Sequence, residues 1–374
     1  MTPLRILVVN AGSSSLKLRV LGDEDEIADS ADLPAPRGTA DQRAIETTLA
    51  SFGTIDAAGH RIVHGGTVYR APVMIDAAVR QRLEALTDLA PLHQPKSLAA
   101  LDAVQAALPG VPAVACFDTA FHATIPDAAA TFALPSQWRQ RWALRRYGFH
   151  GLSHAWIARR AAELAAPASG DGPGMPRLVS CHLGAGASLA AIAAGRSVDT
   201  TMGFTPLDGL VMATRSGAVD PGLVLWLEQH ARTPPAELAA TLEYRSGLYG
   251  LAGTADMRQI LGRAVTGDSS ALLAREVYLH RLRAGVAAMA AAMGGIDLLA
   301  FTGGVGENSA EIRERAMEGL GFLGVTGEPK RNAAGPGDRV ISPDGAAVQA
   351  FVITAREDRQ IATEVRALLR SPPG

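Results

Sequence analysis

The chain has 374 residues, enough for two domains that each bury a core, and its 48% hydrophobic and 19% charged content excludes a disordered or collagen-like chain. With 35 basic against 37 acidic residues the formal charge is −2, so no global basic surface exists for nucleic acid or an anionic membrane, and any anion site must be local. Cys116 and Cys181 are the only cysteines, both inside apolar runs, which suits reduced thiols rather than a disulfide framework.

The opening MTPLRILVVNAG enters a strand pattern without a secretory signal ahead of it, so a cytoplasmic protein is expected. Leu4 to Val9 reads as a buried strand, Asn10 to Ser15 as a turn and Leu16 to Leu21 as a second strand, together a hairpin with a polar tip. Asp23 to Ala44, rich in Pro, Gly, Asp and Ala, reads as a surface connection. Further strands are expected at His60 to Gly66, Val111 to Thr119, Asp297 to Gly304 and Val348 to Thr354. Helical patterns cover Ile75 to Leu89, Lys96 to Leu108, His154 to Ala165, Leu223 to His230 and Ala271 to Met293. The last is interrupted by Arg275, Glu276, His280, Arg281 and Arg283 and cannot span a membrane. Ala166 to Pro176 reads as another connection. Strand, small-residue loop and strand recur at Leu178 to Ala193, a diverged repeat that suggests one related hairpin in each domain of a mixed α/β protein.

Several segments could carry chemistry. Asn10, Ser13, Ser15 and Lys17 crowd donors for an anion into one loop, and Gly184, Gly186 and Ser188 could hold another part of the same polyphosphate; plain turn-making explains either loop alone. Phe301 to Ser309, FTGGVGENS, would let a nucleotide approach the backbone closely, with a helix N-cap turn as the equal alternative. In RYGFHGLSH, His150 is the better catalytic candidate, while His154 reads as structural; a zinc site lacks the expected acidic partner. Arg61, inside an apolar strand, must meet a carboxylate or a substrate anion. Arg215, Asp118 and Glu357 complete the charged candidates, the carboxylates standing at strand ends, where α/β proteins collect ligands.

Taken in order, NAGSSSLK, HRIVHGG, LAPLHQP, FDTAFH, RYGFHGLSH, HLGAGAS with the segment from GRSVDTT to SGAVDPG, FTGGVGENS and REDRQIA are similar to the motifs of acetate kinases, and the match runs from about Ile6 to about Ile361. The resemblance implies a duplicated actin-like (ribonuclease H-like) fold around a cleft, residues 1–121 with 360–374 forming the N-terminal domain and 122–359 a C-terminal domain for nucleotide binding and homodimerisation. It implies ATP or ADP with Mg2+, or Mn2+ in its place, and acetate as the phosphoryl acceptor. On this resemblance Arg61 and Arg215 hold the acyl phosphate and the transferring group, His150 stabilises the transition state, Asp118 supports the site, and Glu357 with Asn10 anchors the metal. His182, Leu183, Gly184, Ala185, Gly186, Asp256, Met257, Arg258, Gly304, Val305, Gly306, Glu307 and Asn308 line the nucleotide site. Val63, Leu92, Phe149 and Pro206 form the methyl pocket, with His93 a further active-site histidine.

Two departures stand out: the pattern HLGNG is HLGAG here, with Ala185 for Asn, and GTR is ATR at Ala213. A carboxylate acceptor is already ionised at pH 7, so catalysis is expected from positioning and charge neutralisation, without a general base. A propionate kinase shares these motifs. A nonenzymatic actin-like nucleotide sensor would have no evident use for the arginine pair and His150, and a sugar kinase would want a polar pocket where Val63, Leu92, Phe149 and Pro206 stand.

Overall fold

The computed structural model describes residues 4–12, 15–36, 40–165 and 176–370. They form two compact units, the first made of Met1–Ala123, Phe149–Trp156 and Arg356–Gly374, the second of Thr124–Gly148 and Ile157–Ala355.

In the first unit, β1 (Ile6–Ala11), β2 (Ser15–Leu21), β3 (Ile27–Pro34), β4 (Ala57–Ile62), β5 (Val73–Met74) and β6 (Ala113–Phe117) make one sheet, ordered β3-β2-β1-β4-β6-β5. β1, β4 and β6 run parallel, and the near-continuous apolar sequences of β1 and β6 follow from burial on both faces. Side-chain alternation divides β1 between two cores. Leu7 and Val9 pack with Ile45, Leu49 and Val104 of the helices Gln42–Ser51 and Gln94–Ala107. Ile6 and Val8 pack with Ile361 and Val365 of the helix Glu357–Arg370.

The second unit repeats the plan. Strands β7 (Leu178–Leu183), β8 (Ala187–Ala193), β9 (Arg196–Thr200), β10 (Leu298–Thr302), β11 (Arg339–Val340) and β12 (Gln349–Val352) are ordered β11-β12-β10-β7-β8-β9, the first sheet's order with each strand six numbers on. Strand senses correspond throughout, and both sheets carry a register shift at the same place in the second strand, Val20/Leu21 and Ala191/Ile192. This is the expected duplication.

Two expectations need correcting. Asp23 to Ala44 is not merely a connection, because it holds β3 and the start of the helix Gln42–Ser51. The edge strand β3 has few apolar residues and alternates exposed with half-buried positions, so no apolar run announces it. The expected strand His60 to Gly66 ends at Ile62, since the His64 amide bonds to the Gln94 side chain instead of a neighbouring strand. Of Ala166 to Pro176, only Pro176 lies within the described residues. No helix among the described residues is long and apolar enough to cross a membrane.

Candidate functional site

The first unit gathers four expected residues, three at the ends of its parallel strands and Glu357 at the start of the helix Glu357–Arg370. Arg61, at the end of β4, makes a two-point pair with Asp118, Nε to Oδ1 at 3.1 Å and Nη2 to Oδ2 at 2.6 Å. Its Nη1 donates to Oδ1 of Asn10 at 3.1 Å, and Asn10 Nδ2 in turn donates to Glu357 Oε2 at 3.2 Å. Arg61 Nε lies 3.9 Å from that same Glu357 oxygen. Burial opposes the Arg61 charge, but Asp118 and Glu357 outweigh it and hold the guanidinium above its ordinary value. Burial pushes the Asp118 carboxyl up, Arg61 pulls it back, and Glu357 adds a smaller upward push, leaving it raised. Lys17 is the register partner of Asn10 across the hairpin, while Ser15 closes the tip by accepting from the Gly12 amide at 2.8 Å. Ser13 lies outside the described residues.

A second link joins this cluster to His150. The carbonyl of Asp118 accepts from the Gly151 amide at 2.8 Å, and a Cβ on Gly151 would stand 2.2 Å from that oxygen, so this contact requires glycine. His150 itself has φ 56°, a left-handed conformation that costs a non-glycine residue about 1 to 2 kcal/mol. Phe149 is buried, with its ring 5.6 Å from that of His64 in an edge contact. Val63 is buried on the adjoining stretch. Leu92 is exposed and His93 half-buried immediately before Gln94, whose side chain clasps both the amide and the carbonyl of His64 at 3.3 Å. His154 is fully buried, with its ring 5.6 Å from that of His122, in keeping with its structural reading.

Arg215 and Pro206 belong to the second unit. Arg215 Nε donates to Glu243 Oε1 at 2.7 Å, and Nη1 to the Pro206 carbonyl at 3.3 Å. Its loop is fixed on the turn between the helices Pro235–Tyr244 and Gly247–Ala252: the amides of Ser246, Leu248 and Tyr249 donate to the carbonyls of Thr214, Met212 and Ala213. Gly247, at φ 60°, is required there, because a Cβ would meet the Met212 carbonyl at 2.3 Å.

The remaining second-unit candidates surround a cavity of about 860 Å³, lined by Gly184, Ala185, Asp256, Met257, Arg258, Gly304, Val305 and Asn308. His182 and Leu183 form the end of β7 beside it, with Gly186 closing the turn by accepting from the Gly184 amide at 2.9 Å. Residues Gly303–Asn308 are helical, so the glycine segment is more than a cap. Glu307 turns back on this helix: its Oε1 accepts from the amides of Gly303 and Ala355, each at 3.0 Å, which places its carboxylate in the scaffold rather than at the cavity wall. Gly306, on the same helix, is buried and likewise does not line the cavity. Asp256 caps the helix Met257–Val265 and pairs with the exposed Arg258 at 2.8 Å.

Sequence reasoning left unassigned Glu243, Gly247, His122 and the cavity residues Leu248, Leu261 and Tyr278. His122 closes the FDTAFH motif without a role of its own there, and the others have no pattern. Glu243 acquires meaning only when folding brings it to Arg215, 28 positions away.

A model of the acetokinase family matches residues 38–363. The chain belongs to the acetokinase family. Among relatives, the acetate kinase of Nostoc punctiforme is 46% identical over 318 residues, covering 85% of this chain and 77% of that protein. The acetate kinase of Porphyromonas gingivalis superposes with a TM-score of 0.89 at 33% identity, over 98% of this chain and all of that one. A propionate kinase from Francisella tularensis gives a TM-score of 0.88, also at 33% identity, over 96% of this chain and 98% of the other. Within this acetokinase chain the two departures from the expected motifs are neighbours, since the Ala213 amide donates to the Ala185 carbonyl at 3.1 Å and both residues line the cavity.

Proposed function

We propose that this acetokinase-family chain transfers a phosphoryl group reversibly between ATP and acetate, giving acetyl phosphate and ADP. The observation that carries the reading is Arg61, an always-charged group fixed by Asp118 and Asn10 at the ends of parallel strands. Because the acetate oxygen is already ionised, the site needs cations and donors around the moving phosphoryl group rather than a base. Arg61, Arg215 and His150 supply them, while Asn10, Ser13, Ser15 and Lys17 serve the phosphates from the first hairpin. Val63, Leu92, Phe149 and Pro206 receive the methyl group, with His93 beside them. The cavity in the second unit takes the nucleoside, with Asn308, Gly304 and Asp256 on its wall.

A hard divalent ion suits the first unit. Glu357 Oε1 takes no hydrogen bond from the described residues, Asn10 offers an amide oxygen, and an all-oxygen set matches Mg2+ or Mn2+, which keep most of their ligands as water and phosphate. Such an ion would neutralise phosphate charge. For assembly, the helix Pro221–Gln229 leaves Leu223, Leu225 and Trp226 about half exposed, an apolar face that supports a homodimer formed through the C-terminal domain. Buried free thiols at Cys116 and Cys181 accord with a cytoplasmic setting.

The test is acyl phosphate formation, trapped as the hydroxamate, with Mg-ATP and acetate, propionate or butyrate supplied in parallel. Product with acetate is expected to dominate. Preference for propionate would move the substrate alone, and ATP binding without product from any acid would overturn the assignment in favour of a nucleotide sensor.

A further inference from the structure

His122 follows the FDTAF run, and nothing above gives it work to do. It is 1% exposed, and its Nε2 lies 3.0 Å from the carbonyl oxygen of Phe149. A carbonyl only accepts, so Nε2 must carry the hydrogen. Burial lowers the His122 pKa to about 4 despite that carbonyl, which keeps the ring neutral near pH 7. The peptide it holds leads into His150, the residue with φ 56°, and Gly148 before it stands at φ 72°. On the far side of His150, the Gly151 amide is tied to the Asp118 carbonyl and the His150 carbonyl accepts from the His154 amide at 2.9 Å. Gly148 tolerates its positive φ without cost, but His150, a non-glycine residue in the left-handed region, would relax toward ordinary backbone angles unless both its flanks were held. Asp118 holds one flank, and the other depends on His122.

We propose that His122 is a positioning residue for phosphoryl transfer: by donating from Nε2 to the Phe149 carbonyl, it clamps the left-handed peptide that presents the His150 side chain. The proposal rests on the role given to His150 above. It also places His122 behind Phe149 of the methyl pocket, so one bond would set both the transfer group and a pocket wall.

The variants His122→Leu, His122→Asn and His122→Gln separate bond from bulk. Leucine removes the donor; asparagine keeps an amide that stops short of the Nε2 position; the longer glutamine amide reaches it. With purified full-length protein, kcat and KM for acetate and for ATP are measured beside His150→Ala, and the His150 backbone amide is followed by NMR in histidine-labelled protein. For His122→Leu, kcat should fall on the order of 100-fold, as for a displaced catalytic group. KM for ATP should stay within about twofold of wild type, because the nucleotide cavity lies in the other unit, and the His150 amide resonance should move. Glutamine should restore kcat to within about tenfold and return the resonance; a gain of that size reports the hydrogen bond, which a purely structural role would not single out. Should the leucine variant fail to fold, the contrast between asparagine and glutamine reads the same bond. Equal kcat loss in the Gln and Asn variants, or wild-type kcat in the Leu variant with His150→Ala impaired, would overturn the clamp. Wild-type turnover in His150→Ala would instead remove the transfer role of His150, and the clamp would then stand or fall on the amide shift alone.

Discussion

The two sheets share order, strand sense and the position of a bulge, so their residues can be matched one for one, and the matched strand ends differ where chemistry is concerned. The hairpin registers align Ile6 with Leu178, and hence Asn10 with His182. The parallel pairs align His60 with Phe301 and Arg61 with Thr302, and carrying the register through β6 and β12 sets Asp118 opposite Ala355. The first unit has polar or charged groups at all three strand ends. In the second, the corresponding ends hold an imidazole, a hydroxyl and a methyl group, and the acidic residue nearby, Glu307, spends its carboxylate on backbone amides. One backbone plan therefore serves two tasks: fixed charge for the transferring group, and a wall of glycine, methyl and amide for a nucleoside. Local side-chain choice at strand ends, not topology, decides which.

The strongest way to break the contrast is to give the first unit the second unit's residue. Arg61→Thr should reduce kcat for hydroxamate-trapped acetyl phosphate by about a thousandfold, the range expected for losing a preorganised charge donor. It also strands Asp118, whose side chain is 2% exposed, so chemical denaturation should show a loss of roughly 3 kcal/mol. Wild-type turnover in a folded Arg61→Thr protein would contradict the division of labour outright. Gly151→Ala attacks the same unit through its backbone. The added methyl cannot coexist with the Asp118 carbonyl, and kcat should drop about a hundredfold as His150 shifts. Unchanged kcat would show that the Asp118 to Gly151 bond does not matter for His150.

The second unit should answer differently. At Gly304 an added Cβ meets nothing within 4 Å, yet the residue lines the cavity. Gly304→Val should therefore leave thermal stability near wild type while raising KM for ATP about tenfold, a pocket-volume effect. KM for acetate should not follow. Equal rises in both constants would mean that the units do not divide substrate binding as the strand ends suggest.

Much of this arrangement is legible before folding. The apolar runs of β1, β6 and β10 announce themselves because burial leaves little room for polar residues, and Arg61 stands out for the same reason. Edge strands β3 and β11 do not, since one side faces solvent and hydrogen-bonding partners, not side chains, define them. The helices Gln94–Ala107 and Gly151–Ala165 start two or three residues earlier than periodicity suggests, because the apolar repeat is not needed to begin a first turn. The roles of Glu243 and of His122, which ends the FDTAFH motif, are invisible for a different reason: each matters through one contact, with Arg215 and the Phe149 carbonyl, and no short-range pattern encodes a contact made across 27 or 28 positions.

The smallest expected effect concerns stability and sharpens the comparison at its most buried pair. His60 and Phe301 occupy matched positions and are 1% and 0% exposed, but neither ring nitrogen of His60 has a hydrogen-bond partner among the described residues. Burial lowers its pKa to about 3, with Asp102 opposing weakly. A depressed histidine is neutral when folded and takes a proton on unfolding at any pH below 6.5, so its contribution is intact above pH 6.5 and is lost progressively as pH falls toward 3. Between pH 7 and 5 this one group should remove about 2 kcal/mol, and His64 and His122, each lowered to about 4 by burial, act in the same direction. His60→Leu makes this position apolar, as Phe301 already is in the second unit. It should gain about 1 kcal/mol at pH 7 by removing unpaired buried nitrogens, and should flatten the loss of urea stability at pH 5 by about 2 kcal/mol. A variant less stable than wild type at pH 7, with the acid slope unchanged, would mean that the imidazole is bonded after all and that the first unit keeps a polar core where the second does not.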